Sequence, residues 1–277
     1  MNHPLLFLGT RTMRNSVARR LGQLKNPRYL IAFVVGAAYL WFALFRGHAG
    51  HPRPAVDPAW LELGAMVLGT LLVIWTWVVA TERRALVFTP AEVLYLFPAP
   101  LPRRTLIHYK LCRAQLMVLL NTMIWTALLS TERLGTGTWF RAASLWVIFS
   151  TLHLHRLGAS FVRTSLLQHG MSGVRRLSVP LVVAAVLLVG LFALGIGAGQ
   201  LIVGTANQGP SEVLNALVLA SHQPLPAVLL WPFRVMARAL AATTSAAWLS
   251  AIGPAVAILI AHYVWVIRSD AAFEEAA

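Results

Sequence analysis

The chain has 277 residues, of which 58% are hydrophobic and only 12% are charged, and its formal net charge is +14 at pH 7. Soluble domains carry about 25% charged residues, so this composition excludes an ordinary soluble protein and predicts a membrane protein. The basic residues are spread over several connections. The charge therefore indicates membrane topology and contact with anionic lipid in the bilayer, and no nucleic-acid partner is expected.

Six apolar segments are long enough to cross the bilayer, for which roughly 20 residues suffice. Only helices and closed barrels satisfy the backbone within lipid, and the runs are continuous, so helices are favoured over alternating strands. The predicted fold class is all-α: a polytopic membrane helix bundle that forms a single transmembrane domain over residues 1–277. The predicted spans are about 29–45, 60–80, 111–130, 139–157, 179–203 and 246–267.

The distribution of lysine and arginine predicts the orientation. With the N-terminus in the cytoplasm, most of the 23 basic residues fall on the cytoplasmic side. This asymmetry follows the positive-inside rule and predicts that both termini are cytoplasmic.

Residues 1–28 are predicted to form a cytoplasmic amphipathic segment. Met13, Val17, Leu21 and Leu24 fall on one helical stripe among basic residues, a pattern typical of a helix lying in the membrane interface. A disordered basic arm is the alternative.

The connection over residues 81–110 is predicted to be structured and cytoplasmic. Thr89 and Glu92 have the spacing of a capping box, in which each side chain binds a free backbone N–H at a helix start. The short helix that begins there runs no further than about Phe97, because Pro98 disfavours helical geometry in the residue before it.

Beyond this short helix the chain is stiff and basic. Pro98 and Pro100 hold it extended, and Arg103 and Arg104 then precede the third span. A rigid helix between two spans can transmit force, which a floppy loop cannot. The alternative is an ordinary interfacial loop anchored by its aromatic residues.

The stretch 204–245 contains an apolar segment, 226–242, that resembles a span. Arg234 and Arg238 lie four residues apart on one face of it, and each would cost about 3 kcal/mol at the bilayer centre. We therefore predict a helix that lies on the outer interface or dips into it, with a re-entrant segment as one form.

No motif for independent chemistry is present in the sequence. It lacks the phosphate-binding pattern GxxxxGK[ST], so the chain is not expected to hydrolyse ATP alone, and it lacks HExxH, CxxC and GxSxG. His153 and His155 point to different helix faces, and we interpret them as interface residues instead of metal ligands. We predict no catalytic site, no metal site and no directly bound cofactor.

Few polar residues enter the predicted spans. Glu62 lies just inside the outer end of the second span, and none of the nine acidic residues lies near a span centre, which counts against ion-coupled transport. Gly195 and Gly199 form a GxxxG pair, a weak indication of close helix packing.

Scattered blocks over most of the chain carry a family resemblance. They are Pro27-Arg28-Tyr29-Leu30, Ala91-Glu92-Val93, Leu96-Phe97-Pro98-Ala99-Pro100, Arg103-Arg104, Tyr109-Lys110-Leu111, Trp265-Val266, Arg268-Ser269-Asp270 and Phe273-Glu274-Glu275-Ala276. Together they resemble the ABC-type exporter permeases of bacteria, membrane subunits that work with a separate ATP-binding subunit. Relatives often continue into further membrane helices, so the chain is expected to be a half-length form or the N-terminal half of such a permease.

The resemblance implies a multi-pass permease subunit of an ATP-driven exporter in the bacterial inner membrane. It is expected not to be an enzyme itself, because ATP acts through an ABC ATP-binding subunit as partner. A second permease half or a homodimer would enclose the path. The implied coupling and docking residues are Glu92, Leu96, Phe97, Pro98, Pro100, Arg103, Arg104 and Lys110, with Thr89 as the helix cap.

Two other functions compete with the exporter hypothesis. A non-transporting membrane scaffold or assembly factor would bind partners through the basic cytoplasmic surface. An intramembrane enzyme is indicated only by scattered Ser, His and Glu residues.

Overall fold

The computed structural model describes residues 57–79, 103–129, 136–168, 174–202 and 209–269, together with scattered residues between 26 and 38. Every regular element in these ranges is a helix, which confirms the predicted all-α membrane bundle. In chain order the helices are α1 (Pro58–Val78), α2 (Arg103–Leu129), α3 (Thr136–Gln168), α4 (Val174–Ile202), α5 (Pro210–Ala220), α6 (Pro224–Leu229), α7 (Trp231–Ala241) and α8 (Ser245–Arg268).

Four of the described helices are long and apolar enough to cross a membrane. They are Pro58–Val78, Lys110–Leu129, Ser178–Ile202 and Ser245–Arg268, and four of the predicted spans lie on them. The predicted span 139–157 lies within α3, which is less apolar because it carries Arg, His, Ser and Thr side chains. The predicted span 29–45 lies largely outside the described residues, as do the segments 1–25 and 80–102. The protein is a multi-pass membrane protein.

The chain divides into two compact units. One contains Met1–Ala55 and Ile107–Thr131, and the other contains Val56–Leu106 and Glu132–Ala277. Most of α2 lies in the first unit. Many of its large apolar side chains are exposed, as expected for a helix that faces lipid. The second unit contains the remaining helices and both of the side-chain clusters described below.

Local sequence explains where α1 and α8 begin. The carboxylate of Asp57 accepts a hydrogen bond from the Ala59 N–H at 2.8 Å, and Pro58 occupies the first turn of α1. The Thr244 hydroxyl accepts from the Ala247 N–H at 3.3 Å and caps α8 in the same way. Capping side chains satisfy backbone donors that the first turn of a helix leaves free.

In the second unit, α1, α3 and α8 run in the same direction and α4 runs antiparallel to them. Leu63 and Met66 near the start of α1 pack with Leu194 and Ala198 towards the end of α4. At the opposite end of α1, Trp77 packs in a second apolar cluster with residues of α3 and α4. We call these two ends of the unit the Glu62 end and the Trp77 end. The positive-inside rule predicts that the Trp77 end faces the cytoplasm.

Residues 209–241 form a helical hairpin that enters the unit from the Glu62 end. The descending part, α5 and α6, packs along α4, and the indole N–H of Trp60 donates to Oδ1 of Asn215 at 3.0 Å. At the tip Leu230 is fully buried. The returning helix α7 packs against α1, α3 and α8, so it lies within the bundle and not on its surface.

Glycines let the tip of this hairpin come close to the middle of two long helices. A methyl group on Gly69 of α1 would lie 3.3 Å from the Phe233 ring, and one on Gly190 of α4 would lie 3.0 Å from Cδ2 of Leu230. The tip therefore reaches half-way along α1 and α4. By contrast, nothing lies within 4 Å of such a group on Gly195 or Gly199, so the GxxxG pair makes no close contact within the described residues.

The predicted helix over 226–242 is divided in the structure at Leu230, between α6 and α7. Pro232 in the first turn of α7 accounts for the break, because proline has no N–H to donate to the carbonyl four residues earlier and its ring would clash with that carbonyl in a continuous helix. The segment does dip inward, and Arg234 is buried beside a counter-ion.

Candidate functional site

Most of the predicted coupling residues lie outside the described part of the chain. They are Thr89, Glu92, Leu96, Phe97, Pro98 and Pro100. Arg103 and Arg104 form the first residues of α2, and Lys110 lies two turns further along with a partly buried side chain. The docking role of all these residues stays a prediction.

The Glu62 end contains a cluster of charged and polar groups, which we call the arginine cluster: Glu62, Ser221, His222, Arg234 and Arg238. Oε1 of Glu62 accepts hydrogen bonds from Nε of Arg234 at 3.0 Å and from Nε of Arg238 at 3.2 Å. Nη1 of Arg234 donates to the Ser221 carbonyl at 3.3 Å, and its Nη2 lies 2.7 Å from the ring nitrogens of His222. Glu62, Ser221 and His222 thus converge on the Arg234 guanidinium, and Arg238 shares the Glu62 carboxylate.

The two arginines of this cluster differ in exposure. The Arg234 side chain is 10% exposed and the Arg238 side chain is 52% exposed. A buried charge requires a partner, because moving it out of water carries a large desolvation penalty. Glu62 therefore holds Arg234, and through it α7, against α1, whereas its pairing with Arg238 is largely screened by solvent.

His222 in the arginine cluster faces a cation. Desolvation of the ring, followed by the positive charge of Arg234, lowers the pKa of His222 below its ordinary value of 6.5. Because a guanidinium can only donate hydrogen bonds, the neutral imidazole is the form that can accept one from Arg234. A small cleft beside the cluster is lined by Ala59, Glu62, Leu63, Met66, Val218 and Ser221.

The Trp77 end contains a second cluster, which we call the histidine–tryptophan cluster: Trp77, His155, His262 and Trp265. Nε1 of Trp77 donates to Nε2 of His155 at 3.0 Å, and Nδ1 of His155 lies 3.2 Å from Nε2 of His262. Nδ1 of His262 lies 2.8 Å from the Ile258 carbonyl. The Trp265 ring lies 5.9 Å from each imidazole centroid.

The direction of this hydrogen-bond chain follows from its two ends. An indole nitrogen can only donate, and a backbone carbonyl can only accept. His155 therefore accepts from Trp77 at Nε2 and donates from Nδ1, and His262 accepts at Nε2 and donates from Nδ1 to Ile258. Both imidazoles are neutral in this arrangement and every ring nitrogen has a partner. The chain joins α1, α3 and α8 with no net charge.

Arg163 of α3 fastens the last turn of α1 at the same end. Its Nη2 donates to the backbone carbonyl of Thr76, and its guanidinium carbon lies 5.7 Å from the centroid of the Trp77 ring, within cation–π distance.

The comparison with known families decides the class of protein. The model of the family described as "Putative ABC exporter" matches residues 2–273. The chain belongs to this family. The predicted resemblance to ABC-type exporter permeases is thereby confirmed, and the protein is an ABC exporter component with several membrane helices. No curated protein and no solved structure matches the chain.

Family membership indicates a transport component rather than an enzyme. Among the described residues, no group of three or more His, Cys, Asp or Glu side chains could hold a metal ion. The arginine cluster and the histidine–tryptophan cluster lie between helices, where their hydrogen bonds fix the helix positions.

Sequence reasoning did not predict either cluster. The structure places the His155 ring between Trp77 and His262, at separations of 78 and 107 residues in sequence, and neither contact was predicted. Glu62 was located correctly near the end of its span, but its pairing with Arg234 was not predicted. The available indication in the sequence was an acidic residue within a span together with two arginines, four residues apart, in another apolar segment.

Proposed function

We propose that the chain is the membrane permease subunit of an ATP-driven exporter, and that it couples to a separate ATP-binding subunit through residues 89–110. The observation that carries the proposal is the family match over residues 2–273 in a sequence that lacks a nucleotide-binding loop. An exporter of this class needs ATP, and a chain without that loop needs a partner to hydrolyse it.

The position of the segment supports a coupling role. It follows the end of α1 at Val78 in the chain and continues into the first turns of α2, which begins at Arg103, so any movement of the segment acts directly on two apolar helices. The sequence predicts that this segment is stiff, because it contains a capping box and several prolines. The surface that would dock on the partner comprises Leu96 and Phe97 as apolar groups and Arg103, Arg104 and Lys110 as basic groups.

Arg103 and Arg104 lie at the end of α2 where the helix dipole disfavours positive charge. The positive end of the helix dipole lies at the N-terminus, and the first turn of α2 has no acidic residue. Two guanidiniums there oppose the dipole. An anionic partner, either acidic side chains of the ATP-binding subunit or lipid phosphates, would offset this repulsion.

The proposal includes a topology and further partners. The segment 81–110 and both termini lie in the cytoplasm, the membrane is the bacterial inner membrane, and ATP is bound by the partner subunit alone. A second permease half, or a second copy of this chain, completes the path. A cysteine substituted for Glu92 in a Cys112→Ser background should react with a membrane-impermeant maleimide only after the inner face is exposed.

Co-purification tests the coupling. Tagged protein solubilised from its native host is expected to bring down a protein with ABC ATPase motifs, and the complex should hydrolyse ATP. If no such subunit is captured and a strain that lacks the chain exports normally, the results would instead support the non-transporting scaffold.

A further inference from the structure

We propose that the histidine–tryptophan cluster is a rigid joint that makes α1, α3 and α8 move as one body when the coupling segment moves α1. The inference rests on the proposed function for the source of the movement. The joint itself is a property of the chain alone. Trp77, His155 and His262 are its positioning residues, and none of them is assigned a contact with substrate.

The location of the cluster is the first argument. Trp77 is the next-to-last residue of α1, so the joint lies where α1 continues into the coupling segment. Arg163 binds the Thr76 carbonyl and lies over the Trp77 ring. A force that reaches α1 from the segment is therefore applied at a turn that α3 already holds through Thr76 and Trp77.

The hydrogen-bond chain is the second argument. Apolar attraction has no preferred direction, whereas a hydrogen bond requires a narrow range of distance and angle and is stronger in a low-dielectric environment. The chain from Trp77 through His155 to His262 has one donor and one acceptor at each step. Displacing any one of the three helices would leave a ring nitrogen of a partly buried histidine unpaired, which is unfavourable.

Close packing between α3 and α8 is the third argument. A methyl group on Gly158 would lie 2.6 Å from Cζ3 of Trp265, so the indole occupies the space that a side chain would fill. Ala159, one residue further along α3, is fully buried in the apolar cluster that includes Trp77 and Trp265. The two helices are therefore held together by shape as well as by hydrogen bonds.

The first experiment uses the chain alone in nanodiscs of phosphatidylethanolamine and phosphatidylglycerol. Spin labels are placed at Val78→Cys and Val264→Cys, two exposed positions beside the cluster, in a Cys112→Ser background.

Two variants test the hydrogen-bond chain. Trp77→Phe keeps an aromatic ring and removes the N–H donor, and His155→Phe interrupts the chain at its centre. Both variants should broaden the distance distribution between the labels. Trp75→Phe, on the exposed face of α1, is the matched control and should leave it narrow.

Equal widths in all four proteins would overturn the joint. Trp77→Phe is the milder variant. If it elutes as a single species and its circular dichroism spectrum shows unchanged helix content, the broadening reflects local loosening and not unfolding. Equal broadening of the distance distribution in Trp75→Phe would also overturn the proposal, because the effect would then not be specific to the cluster.

The second experiment adds the captured ATP-binding subunit with ATP and vanadate. In the wild type, α1 should move relative to a label at Val182 of α4, while the Val78–Val264 distance stays constant. In His155→Phe that distance should change, because α8 no longer follows α1. A constant distance in this variant would overturn the joint and leave the proposed function intact. No movement of any pair in the wild type would contradict the proposed function, and the first experiment would still decide the joint.

Discussion

Arg234 of α7 and Glu62 of α1 form an ion pair in which Nε and Oε1 lie 3.0 Å apart, although 172 residues separate them in sequence. This contact fixes the returning arm of the hairpin to the first membrane helix of its unit. The other bonds of Arg234 go to Ser221 and His222 in the turn before α6. One guanidinium thus links three segments of the Glu62 end, and its loss should affect all of them.

Replacement of Glu62 by Gln should destabilise the folded protein by about 3 kcal/mol, because breaking a buried ion pair leaves an uncompensated charge. Thermal unfolding in detergent, followed by helical signal, measures the loss. The matched control is Glu212→Gln, at an exposed site in the first turn of α5, which should change stability by only a few tenths of a kcal/mol. A similar loss in both variants would contradict the structural role of Glu62.

The two arginines on Glu62 should respond differently to the same substitution. Arg234→Met removes the buried member and leaves the Ser221 carbonyl and His222 without their donor, so a large loss of stability is expected. Arg238→Met removes a half-exposed partner, for which pairs are worth about 0.2–1 kcal/mol. The difference in midpoint temperature between the two variants is the measurement. An equal effect would mean that burial does not distinguish the two pairs.

His222 predicts a pH dependence of stability. Its pKa in the folded protein is lowered, with desolvation as the main cause and Arg234 as the second. The unfolded chain therefore takes up a proton first as the pH falls, so stability is fully present above about 6.5 and decreases as the pH falls towards the lowered pKa. His222→Gln should flatten the stability profile over this range. Identical slopes in the wild type and the variant would exclude His222 as the origin.

The two kinds of glycine in the long helices offer a packing test. Gly158→Ala should destabilise the protein by about 1–3 kcal/mol, because the new methyl group would overlap the Trp265 ring at 2.6 Å. Gly195→Ala is the control in open space, and it should be neutral or stabilising by up to about 1 kcal/mol, since alanine favours helix. A larger loss at Gly195 would indicate that the GxxxG pair makes a contact outside the described residues.

Much of the helical architecture can be predicted from local sequence, but the two side-chain clusters cannot. The apolar runs and the caps at Asp57 and Thr244 are local, so they predict α1 and α8 to within a few residues. Pro232 explains why α7 begins where it does, although the hairpin that results depends on close contacts at Gly69 and Gly190. The partners of Glu62 and His155 are distant in sequence, and a periodic pattern contains no information about which helix faces which.

Substitutions in the coupling segment should weaken binding of the ATP-binding subunit. Phe97→Ala should remove an apolar anchor, and the double reversal Arg103→Glu with Arg104→Glu should repel an acidic docking surface. Both variants should reduce recovery of the ATP-binding subunit in co-purification while the thermal stability of the membrane helices stays unchanged.

The matched control for the coupling variants is Arg46→Glu with Arg53→Glu, a reversal of equal charge in the connection predicted to lie on the opposite side of the membrane. It should leave recruitment intact, because only the cytoplasmic surface meets the ATP-binding subunit. A basic surface that acts mainly on lipid would show a different pattern: recruitment would survive the Arg103/Arg104 reversal, and binding of the purified chain to anionic vesicles would fall instead. That outcome would move the function of these arginines from the partner to the bilayer, since each basic residue near an anionic surface contributes about 1 kcal/mol.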